Sequence, residues 1–520
     1  MTRLIVTLSL ALTVAGCAVG PDYKPPQTAM PGAFTEAKSF LASLVAPTLP
    51  APPSAEAKPK TPNMAAVVTE RWWRSLDDPE LNSLVERAVA GNLDLKIALA
   101  RLQEARTGER VAVGLALPSA AIAGAAGRGT GSDATRGRVP SPLTSATTTK
   151  GLTQIDHVVG IDAGWELDLF GKYRREIEAA GYEAEAAKAA RNAVLIAVIG
   201  DTVRAYVDLR GLQTRLAILR RNIDTESHTL EVVKQRFDRG LTNQLDLTLA
   251  QREQASLAAT VAPLVARIEA AKETIAVLVG QMPRTLAAEL DKPALIPALP
   301  QTIAPGLPLD LLRRRPDIAA RERTLAAATA RIGIATADLF PHLVLIGARG
   351  EQGQGLGVSP NIAQSIWSAG PGAYWNVLDF GTLDAQVEIA DYQRQEQLAS
   401  YRQTVLDAVR EVDADIADFT AQQDRLRQLG TALTASQESV RLAQERYDRG
   451  LTDFLNVADA ERQEYGLEDE YAEAQQTAAD DFAALYKALG GGWENYQSIP
   501  PIREPQPAIL AAFRSLFTSP

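Results

Sequence analysis

One eighteen-residue motif occurs twice in this chain. It reads RFDRGLTNQLDLTLAQRE from Arg236 and RYDRGLTDFLNVADAERQ from Arg446, and nine of the eighteen aligned positions are identical. The two copies lie 446 − 236 = 210 residues apart in a chain of 520 residues. An internal duplication of this size constrains the fold strongly, because each copy is expected to form the same structural unit and to pack against the other.

Each motif stands at the end of a long charged run that predicts a helix. The runs cover residues 172–239 and 382–449, and each would be ~100 Å long at ~1.5 Å per residue. Apolar residues recur in steps of four and three, which is the spacing of a packed helical seam. The seam positions are Leu195, Ile199, Thr202, Tyr206 and Leu209 in one copy and Val405, Val409, Val412, Ile416 and Phe419 in the other. Gly240 and Gly450 then end the helices, and a return helix of about 37 residues is expected after each, so the motif is the tip of a helical hairpin.

The sequence before each long helix predicts a helix and two strands. Ala-rich runs from Leu81 to Pro118 and from Arg313 to Pro341 read as helices closed by proline, and the two prolines lie 341 − 118 = 223 residues apart. The following stretch HVVGIDAGWELDLFG alternates between an apolar and a polar face, which is typical of a strand. The apolar face carries Ile161, Ala163, Trp165, Leu167 and Leu169, and the polar face carries Asp162, Glu166 and Asp168. The second copy ends in AYWNVLDFG, so we expect four strands in the chain.

The N-terminus has the pattern of a bacterial lipoprotein signal. A basic Arg3 is followed by an apolar run and then by Val-Ala-Gly before Cys17, the only cysteine of the chain. The apolar run is too short to span a membrane. The pattern predicts removal of residues 1–16 and attachment of lipid to Cys17, with an ordinary signal peptide as the alternative; Ala18 is compatible with sorting to the outer membrane. The Pro-, Ala- and Ser-rich residues 35–66 predict an extended tether.

Composition excludes several classes of function. The net charge is −10 and basic residues are not clustered, which argues against nucleic acid as a partner. One cysteine and three scattered histidines, His157, His228 and His342, give no metal site or disulfide framework. There is no nucleophile elbow, phosphate-binding loop or paired-histidine motif, so we predict no catalytic residue, no cofactor and no enzyme activity.

The strands suggest a pore that one chain cannot close. Four strands are too few for a barrel, and open strand edges are not tolerated in lipid. Three copies would supply twelve strands, together with six helical hairpins that are far longer than the ~30 Å hydrocarbon core of a bilayer. The rival hypothesis is a lipid-anchored helical rod that scaffolds the envelope, and a narrower alternative is a conduit for peptide or protein export.

The order of these features resembles the TolC-like outer membrane efflux factors. The lipobox, the segment CAVGPDYKPP, the duplicated helix–strand–strand–hairpin and the RGLT tips look most like the lipoprotein branch, which serves tripartite RND-type pumps. The resemblance covers about residues 17–493, apart from the tether. It implies an α+β membrane protein that forms a homotrimer, with a twelve-stranded β-barrel and a periplasmic α-helical barrel. It also implies outer membrane lipid, a periplasmic adaptor protein and an inner-membrane transporter as partners, and the export of drugs or other small toxic solutes.

This reading divides the chain into five parts. They are the signal peptide at 1–16, a lipid-anchored extended N-terminal segment at 17–75, the first repeat at 76–300, the second repeat at 301–493 and a C-terminal periplasmic tail at 494–520.

The resemblance also implies roles for individual residues. The family's constriction falls on Leu455, as an apolar ring, and on Asp459, as a carboxylate ring that would favour cations. The first copy has Leu245 and Leu249 at these positions. Gate-associated positions are Asp246, Tyr447, Arg239 and Arg449, and the tips that would contact the adaptor are Gly240, Leu241, Gly450 and Leu451. The chain departs from the family pattern at Thr452, where the gate arginine is expected, and at Asn456.

Structural alternatives stand beside each of these roles. Asp459 and Asp246 are also consistent with solvated surface carboxylates, Leu455 with packing in the helical seam, and the Gly–Leu pairs with simple helix caps. Trp165 and Trp375 fit either an aromatic belt at a membrane interface or packing at the strand ends.

Overall fold

The computed structural model describes residues 18–27, 70–130, 153–300, 308–354 and 364–496. The signal peptide, Cys17, the tether and most of the C-terminal tail lie outside the described residues. The helices are α1 Pro79–Gly91, α2 Leu93–Leu115, α3 Lys172–Asp238, α4 Gln244–Ala259, α5 Val261–Leu278, α6 Ala287–Leu290, α7 Pro308–Arg314, α8 Pro316–Ala337, α9 Thr382–Asp448 and α10 Phe454–Ala488. The strands are β1 Ser119–Thr130, β2 Thr153–Leu167, β3 His342–Gln354 and β4 Gln364–Tyr374, and short 3-10 helices cover Trp72–Leu76 and Glu494–Tyr496.

The chain divides into two compact units. Among the described residues, one unit comprises 18–27, 101–130, 153–188, 320–354 and 364–402, and the other comprises 70–100, 189–300, 308–319 and 403–496. The strands belong to the first unit and the hairpin tips to the second. The helices α3 and α9, of 67 residues each, contribute to both units.

The two long helices agree with the prediction, but three shorter helical segments are divided. The expected first helix breaks at Asn92, whose side-chain oxygen accepts the N–H of Leu95 at 3.1 Å and so caps α2. The segment before Pro341 likewise breaks at Arg315, between α7 and α8. The first return helix, expected to be continuous, ends at Ala259 because Pro263 has no N–H to donate to the carbonyl four residues before it. The second return helix, α10, is continuous over 35 residues.

The four strands form one antiparallel sheet in the order β1-β2-β3-β4. The strand β2 ends at Leu167, so the predicted alternation through Leu169 is two residues too long. The Asp168 carboxylate instead accepts the backbone N–H groups of Tyr173 at 3.2 Å and Arg174 at 3.0 Å at the start of α3.

One face of the sheet is exposed in the single chain and is mostly apolar, although it also carries the exposed charged residues Arg349 and Glu351. The strand register places six exposed large side chains on this face, namely Ile122, Val159, Ile161, Trp165, Leu345 and Trp367. The predicted polar residues Asp162 and Glu166 lie on the opposite face. An exposed apolar surface of this kind is typical of contact with a membrane or with another protein. Among the described residues, no helix contains a stretch that is long and apolar enough to cross a membrane.

The second unit is held together by an aromatic cluster and a buried arginine. The Trp72 ring stacks on Tyr486 with centroids 5.3 Å apart and meets Phe482 edge-on. Arg210 in α3 is fully buried and donates to the Glu80 carboxylate at 2.6 Å and to the Lys292 carbonyl at 2.7 Å. This charged group therefore ties α1 and the segment after α6 to the long helix.

Candidate functional site

Both hairpin tips have the same backbone geometry. Gly240 has φ +73° and Gly450 has φ +69°, in the left-handed region that glycine adopts without strain. The N–H of Leu241 donates to the Arg236 carbonyl at 2.8 Å, and the N–H of Leu451 donates to the Arg446 carbonyl at 2.9 Å. This hydrogen-bond pattern is a Schellman cap, and it explains why the Gly–Leu pair recurs at both tips.

The Gly–Leu pairs present apolar side chains to solvent. Leu241 and Leu451 are both about two-thirds exposed, and beyond the adjacent residues no heavy atom of the described chain lies within 4 Å of a Cβ built on Gly240 or Gly450. The tips are therefore open surfaces, whereas nearby residues before and after the tip glycines pack into one small core. That core consists of Val233, Leu247, Ala250, Tyr447, Phe454, Val457 and Ala458.

The predicted constriction residues lie on the solvent-exposed face of α10. Leu455 is 59% exposed and Asp459 is exposed one turn later, whereas Phe454, Val457 and Ala458 are buried on the opposite face. Leu455 is therefore not part of the packed seam of its own chain. The Asp459 carboxylate is ion-paired with Arg462 on the same exposed face, a contact that the sequence reasoning missed. The role of Leu455 and Asp459 in a constriction stays a prediction.

The gate-associated tyrosine is contacted by an arginine that was not predicted. Tyr447 is buried, and the Arg236 guanidinium lies 4.3 Å from the centroid of its ring. Burial raises the pKa of Tyr447 despite the opposing effect of Arg236. Arg449 is instead ion-paired with Glu445 on its own helix, and Arg239 is exposed one turn beyond Arg236. The sequence did contain a signal for this contact: Arg236 lies three residues before Arg239, and so one helical turn away from the arginine that was predicted to be near the gate.

Asp246 is buried rather than a surface carboxylate. The residue is 8% exposed, and its carboxylate accepts a hydrogen bond from the Thr242 hydroxyl. Asn243 caps the start of α4, because its side-chain oxygen accepts the backbone N–H of Asp246 at 3.0 Å. The surface-charge alternative is therefore wrong for this residue. In the second copy, the exposed Asn456 donates its amide to the Thr452 hydroxyl at 2.7 Å. The two tips therefore have the same backbone conformation, but they differ in charge because Asp246 is replaced by Asn456 in the second copy.

Three buried carboxylates lie on the helices behind the tips. Glu226 in α3 and Glu461 in α10 are each 1% exposed, and Glu253 in α4 is also buried. Burial raises the pKa of Glu226 to about 8, with the charges of Glu461 and Glu253 adding to the effect. Burial also raises the pKa of Glu461 to about 7, although the Thr229 hydroxyl donates to it at 3.4 Å. Within the described residues, no group of three or more His, Cys, Asp or Glu side chains is arranged to hold a metal ion.

In the first unit, the described N-terminal segment lies against the end of β2. The N–H of Val19 donates to the Phe170 carbonyl at 3.0 Å, and Arg175 donates to the carbonyls of Val19 and Gly20. Ala18 lies against Gly171, where an added Cβ would approach the Ala18 Cα to 2.5 Å. The residue after the predicted lipidation position is therefore fixed beside the end of a strand.

The two strand-end tryptophans make equivalent contacts. The Trp165 indole N–H donates to the Ala116 carbonyl at 3.0 Å, and the Trp375 indole N–H donates to the Leu339 carbonyl at 2.9 Å. Each tryptophan thus links its strand end to the end of the preceding helical segment. These contacts favour packing at the strand ends over an aromatic belt, although both rings stay partly exposed.

A duplicated chain with a four-stranded sheet, an exposed apolar sheet face and two capped hairpin tips has the architecture of an outer-membrane channel subunit. The sequence profile described as "Outer membrane efflux protein" matches residues 84–281 and 307–491, and the chain belongs to this family. The two matched segments begin 307 − 84 = 223 residues apart and end 491 − 281 = 210 residues apart, which are the two offsets found in the sequence.

Known relatives and structures agree with this assignment. The chain is 30% identical to Nodulation protein T of Rhizobium leguminosarum bv. viciae over 515 residues, covering 97% of this chain and 95% of that protein. It is 29% identical to the Toluene efflux pump outer membrane protein TtgF of Pseudomonas putida, covering 95% of this chain and 98% of that protein. The solved structure of the outer-membrane channel OprN has a TM-score of 0.78 and 35% identity, covering 92% of this chain and all of that one.

These findings confirm the resemblance to TolC-like factors, the tandem-duplicated α+β fold class and the function as an outer membrane efflux channel. The protein is located in the outer membrane, and its family is one of transport proteins.

Proposed function

We propose that three copies of this chain form the exit duct of a tripartite efflux pump. A homotrimer would join the sheets into a twelve-stranded barrel and bundle six hairpins into a helical tube that projects into the periplasm. The observation that carries the proposal is the four-stranded sheet with an exposed, mostly apolar face, which one chain has too few strands to close into a barrel.

The hairpin tips are the proposed contact surface for a periplasmic adaptor. Leu241 and Leu451 are the exposed apolar side chains of two tips with the same backbone, so six equivalent contacts would be available in a trimer. An inner-membrane transporter would deliver solute to this end of the tube. The name of the TtgF relative refers to toluene efflux, which supports small, apolar toxic solutes or drugs as cargo here.

The proposed constriction is a ring of Leu455 side chains above a ring of Asp459 carboxylates. Both residues are exposed on one face of α10, so neither is committed to packing within its own chain. Asp246, Tyr447, Arg239 and Arg449 are proposed to act around this ring, with Arg236 as the arginine that contacts Tyr447.

Lipid on Cys17 is proposed to anchor the chain. The support is the lipobox together with the position of Ala18 beside the end of β2, next to the strands that would enter the membrane. Labelling cells with radioactive palmitate tests this: the wild type should carry label and Cys17→Ser should carry none.

Conductance through a planar bilayer tests the duct itself. Purified protein should insert as a stable, cation-preferring channel, and cells that lack it should accumulate more of an exported dye. A protein that is folded by circular dichroism, monomeric by native mass spectrometry and silent in the bilayer would overturn the proposal.

A further inference from the structure

Two buried carboxyl groups lie close together where the first helical hairpin meets the second. Glu226 belongs to α3 of the first hairpin and Glu461 to α10 of the second, and each is 1% exposed. The Thr229 hydroxyl, one turn from Glu226 on the same helix, donates to the Glu461 carboxylate at 3.4 Å. The two carboxyl groups are therefore within about one helical turn of each other, in a part of the chain that excludes water.

Both carboxyl groups lack hydrogen-bond donors. Within the described part of the chain, neither oxygen of Glu226 accepts a hydrogen bond, and only one oxygen of Glu461 does. A buried carboxylate without a donor or a cation is strongly disfavoured, whereas a protonated carboxyl group is neutral and brings its own donor. In agreement, burial raises the pKa of Glu226 to about 8 and that of Glu461 to about 7. The ligand that fits this pair is a proton.

The groups around the pair do not neutralise its charge. Glu253 on α4 acts on both carboxyl groups, and its own partner is the exposed Arg252, at 3.4 Å. Glu464, one turn along α10, adds a further negative charge. Tyr465 on the same helix is buried beside the pair, and its hydroxyl has no hydrogen-bond partner among the residues described. Ionisation of the pair is therefore opposed by charges on both α4 and α10.

The duplication provides the pair at only one of two equivalent places. The offset of 210 makes Ser436 the equivalent of Glu226 and Gln251 the equivalent of Glu461, and neither of these side chains ionises. The two copies of the motif end in QRE and ERQ, so the carboxylate has changed position between them. Titration therefore acts on the contact between α3 and α10 without a counterpart at the equivalent positions.

The pair lies directly behind the small core that joins the two tips. Glu461 follows Val457 by one turn on α10, Glu226 precedes Val233 by two turns on α3, and both valines belong to that core. Two ionised carboxylates in an interior of low dielectric constant repel each other strongly. A change in the separation of α3 and α10 at the pair would therefore reach the core and the tips.

We propose that Glu226 and Glu461 form a proton-binding site that controls the opening of the hairpin tips. With a proton bound, α3 and α10 stay packed and the tips stay closed. When the proton is lost, the two negative charges push α3 and α10 apart, the core behind the tips loosens and the tips open. The site thus favours the closed duct at acid pH and the open duct at alkaline pH. The inference rests on the proposed channel and adds a means of regulation that lies outside the constriction.

Amide hydrogen exchange tests the proton site without requiring a working channel. The double variant Glu226→Gln/Glu461→Gln keeps the shape of both side chains and cannot lose a proton. At about pH 8.5, amides of 226–238 and 454–461 should exchange about tenfold faster in the wild type than in the double variant, and at about pH 5.5 the two proteins should exchange equally. Comparison at the same pH removes the intrinsic pH dependence of exchange. Glu231→Gln, at an exposed position on α3, is the matched control and should follow the wild type.

Single-channel recording in planar bilayers tests the control of the tips. The open probability of the wild type should rise about tenfold from about pH 5.5 to about pH 8.5, whereas that of the double variant should stay low throughout. Should the double variant be unfolded by circular dichroism, Glu461→Gln alone replaces it. Neutralising one carboxyl group already removes the mutual repulsion, so this single variant should also flatten both pH profiles.

The outcomes separate this inference from the proposed function. A difference between wild type and glutamine variant that appears only at alkaline pH, in both measurements, supports the inference. Equal exchange of the two proteins at alkaline pH overturns the proton site and leaves the channel intact. An open probability that changes with pH to the same extent in both proteins overturns the control of the tips. A protein that never conducts, yet shows the exchange difference, overturns the proposed channel and leaves the proton site in place.

Discussion

Replacing Glu226 with glutamine tests whether the buried carboxylates behind the tips make this protein sensitive to pH. Glu226 is 1% exposed, and neither of its carboxylate oxygens accepts a hydrogen bond within the described part of the chain. Its pKa rises from the ordinary value of 4.5 to about 8 because burial disfavours the charged form. The groups that face it are Glu461 on α10 and Glu253 on α4, and the latter is ion-paired with Arg252 at 3.4 Å.

The direction of the effect follows from proton linkage. The folded state holds the proton more tightly than the unfolded state, so the contribution to stability is complete below pH 4.5 and declines as the pH rises to about 8. One pKa unit corresponds to about 1.4 kcal/mol, and the decline between pH 4.5 and pH 7 is therefore about 3 kcal/mol. Glutamine has nearly the same shape and cannot ionise, so Glu226→Gln should remove this part of the pH dependence.

The assay is thermal loss of the helical circular dichroism signal in detergent, measured from about pH 5 to about pH 9. The wild type should melt at progressively lower temperature as the pH rises, and Glu226→Gln should give a flatter profile and a higher melting temperature at the alkaline end. Glu231→Gln, an exposed position on the same helix, is the matched control and should follow the wild type. Parallel profiles for wild type and Glu226→Gln would refute the reasoning.

Three further substitutions test the tips, the constriction and the second unit. Gly450→Val should destabilise the tip by about 1–2 kcal/mol and weaken cross-linking to the adaptor, because φ +69° is strained for a side chain with a Cβ; Gly450→Asn should be tolerated, and equal behaviour of the two variants would contradict this. Asp459→Ala should lower cation preference in bilayer currents, whereas Arg462→Ala, which removes the partner of that carboxylate, should raise it; unchanged selectivity in both would place the pair outside the pore. Arg210→Ala should lower stability by about 3–5 kcal/mol because it leaves the Glu80 carboxylate without its buried partner; the exposed Arg220→Ala on the same helix is the control, and equal melting temperatures would count against the network.

Elements that repeat along the chain could be predicted from the sequence, because a duplication constrains two stretches at once. The offsets of 210 and 223 anticipated both long helices, both Gly–Leu tips and the four strands. Contacts that depend on how one helix is rotated against another could not be predicted in this way. The packing of Arg236 on Tyr447 and the burial of Glu226 are of this kind, since both residues occur in charged stretches that read as solvated. The break after Ala259 has a local cause, Pro263, which the prediction of one continuous return helix did not take into account.

The divergence between the two copies also has a packing cause. Asp459 has an exposed position on α10, where a carboxylate keeps its hydration and can pair with Arg462. Its equivalent in the first copy, Leu249, is partly buried against the tip core. A carboxylate at Leu249 would have to lose water without a partner, which costs several kcal/mol or shifts its pKa until it is neutral. A trimer built from this chain would therefore carry three carboxylates at this level rather than six, and the duplicated backbone would be preserved while the charge ring is supplied by the second copy alone.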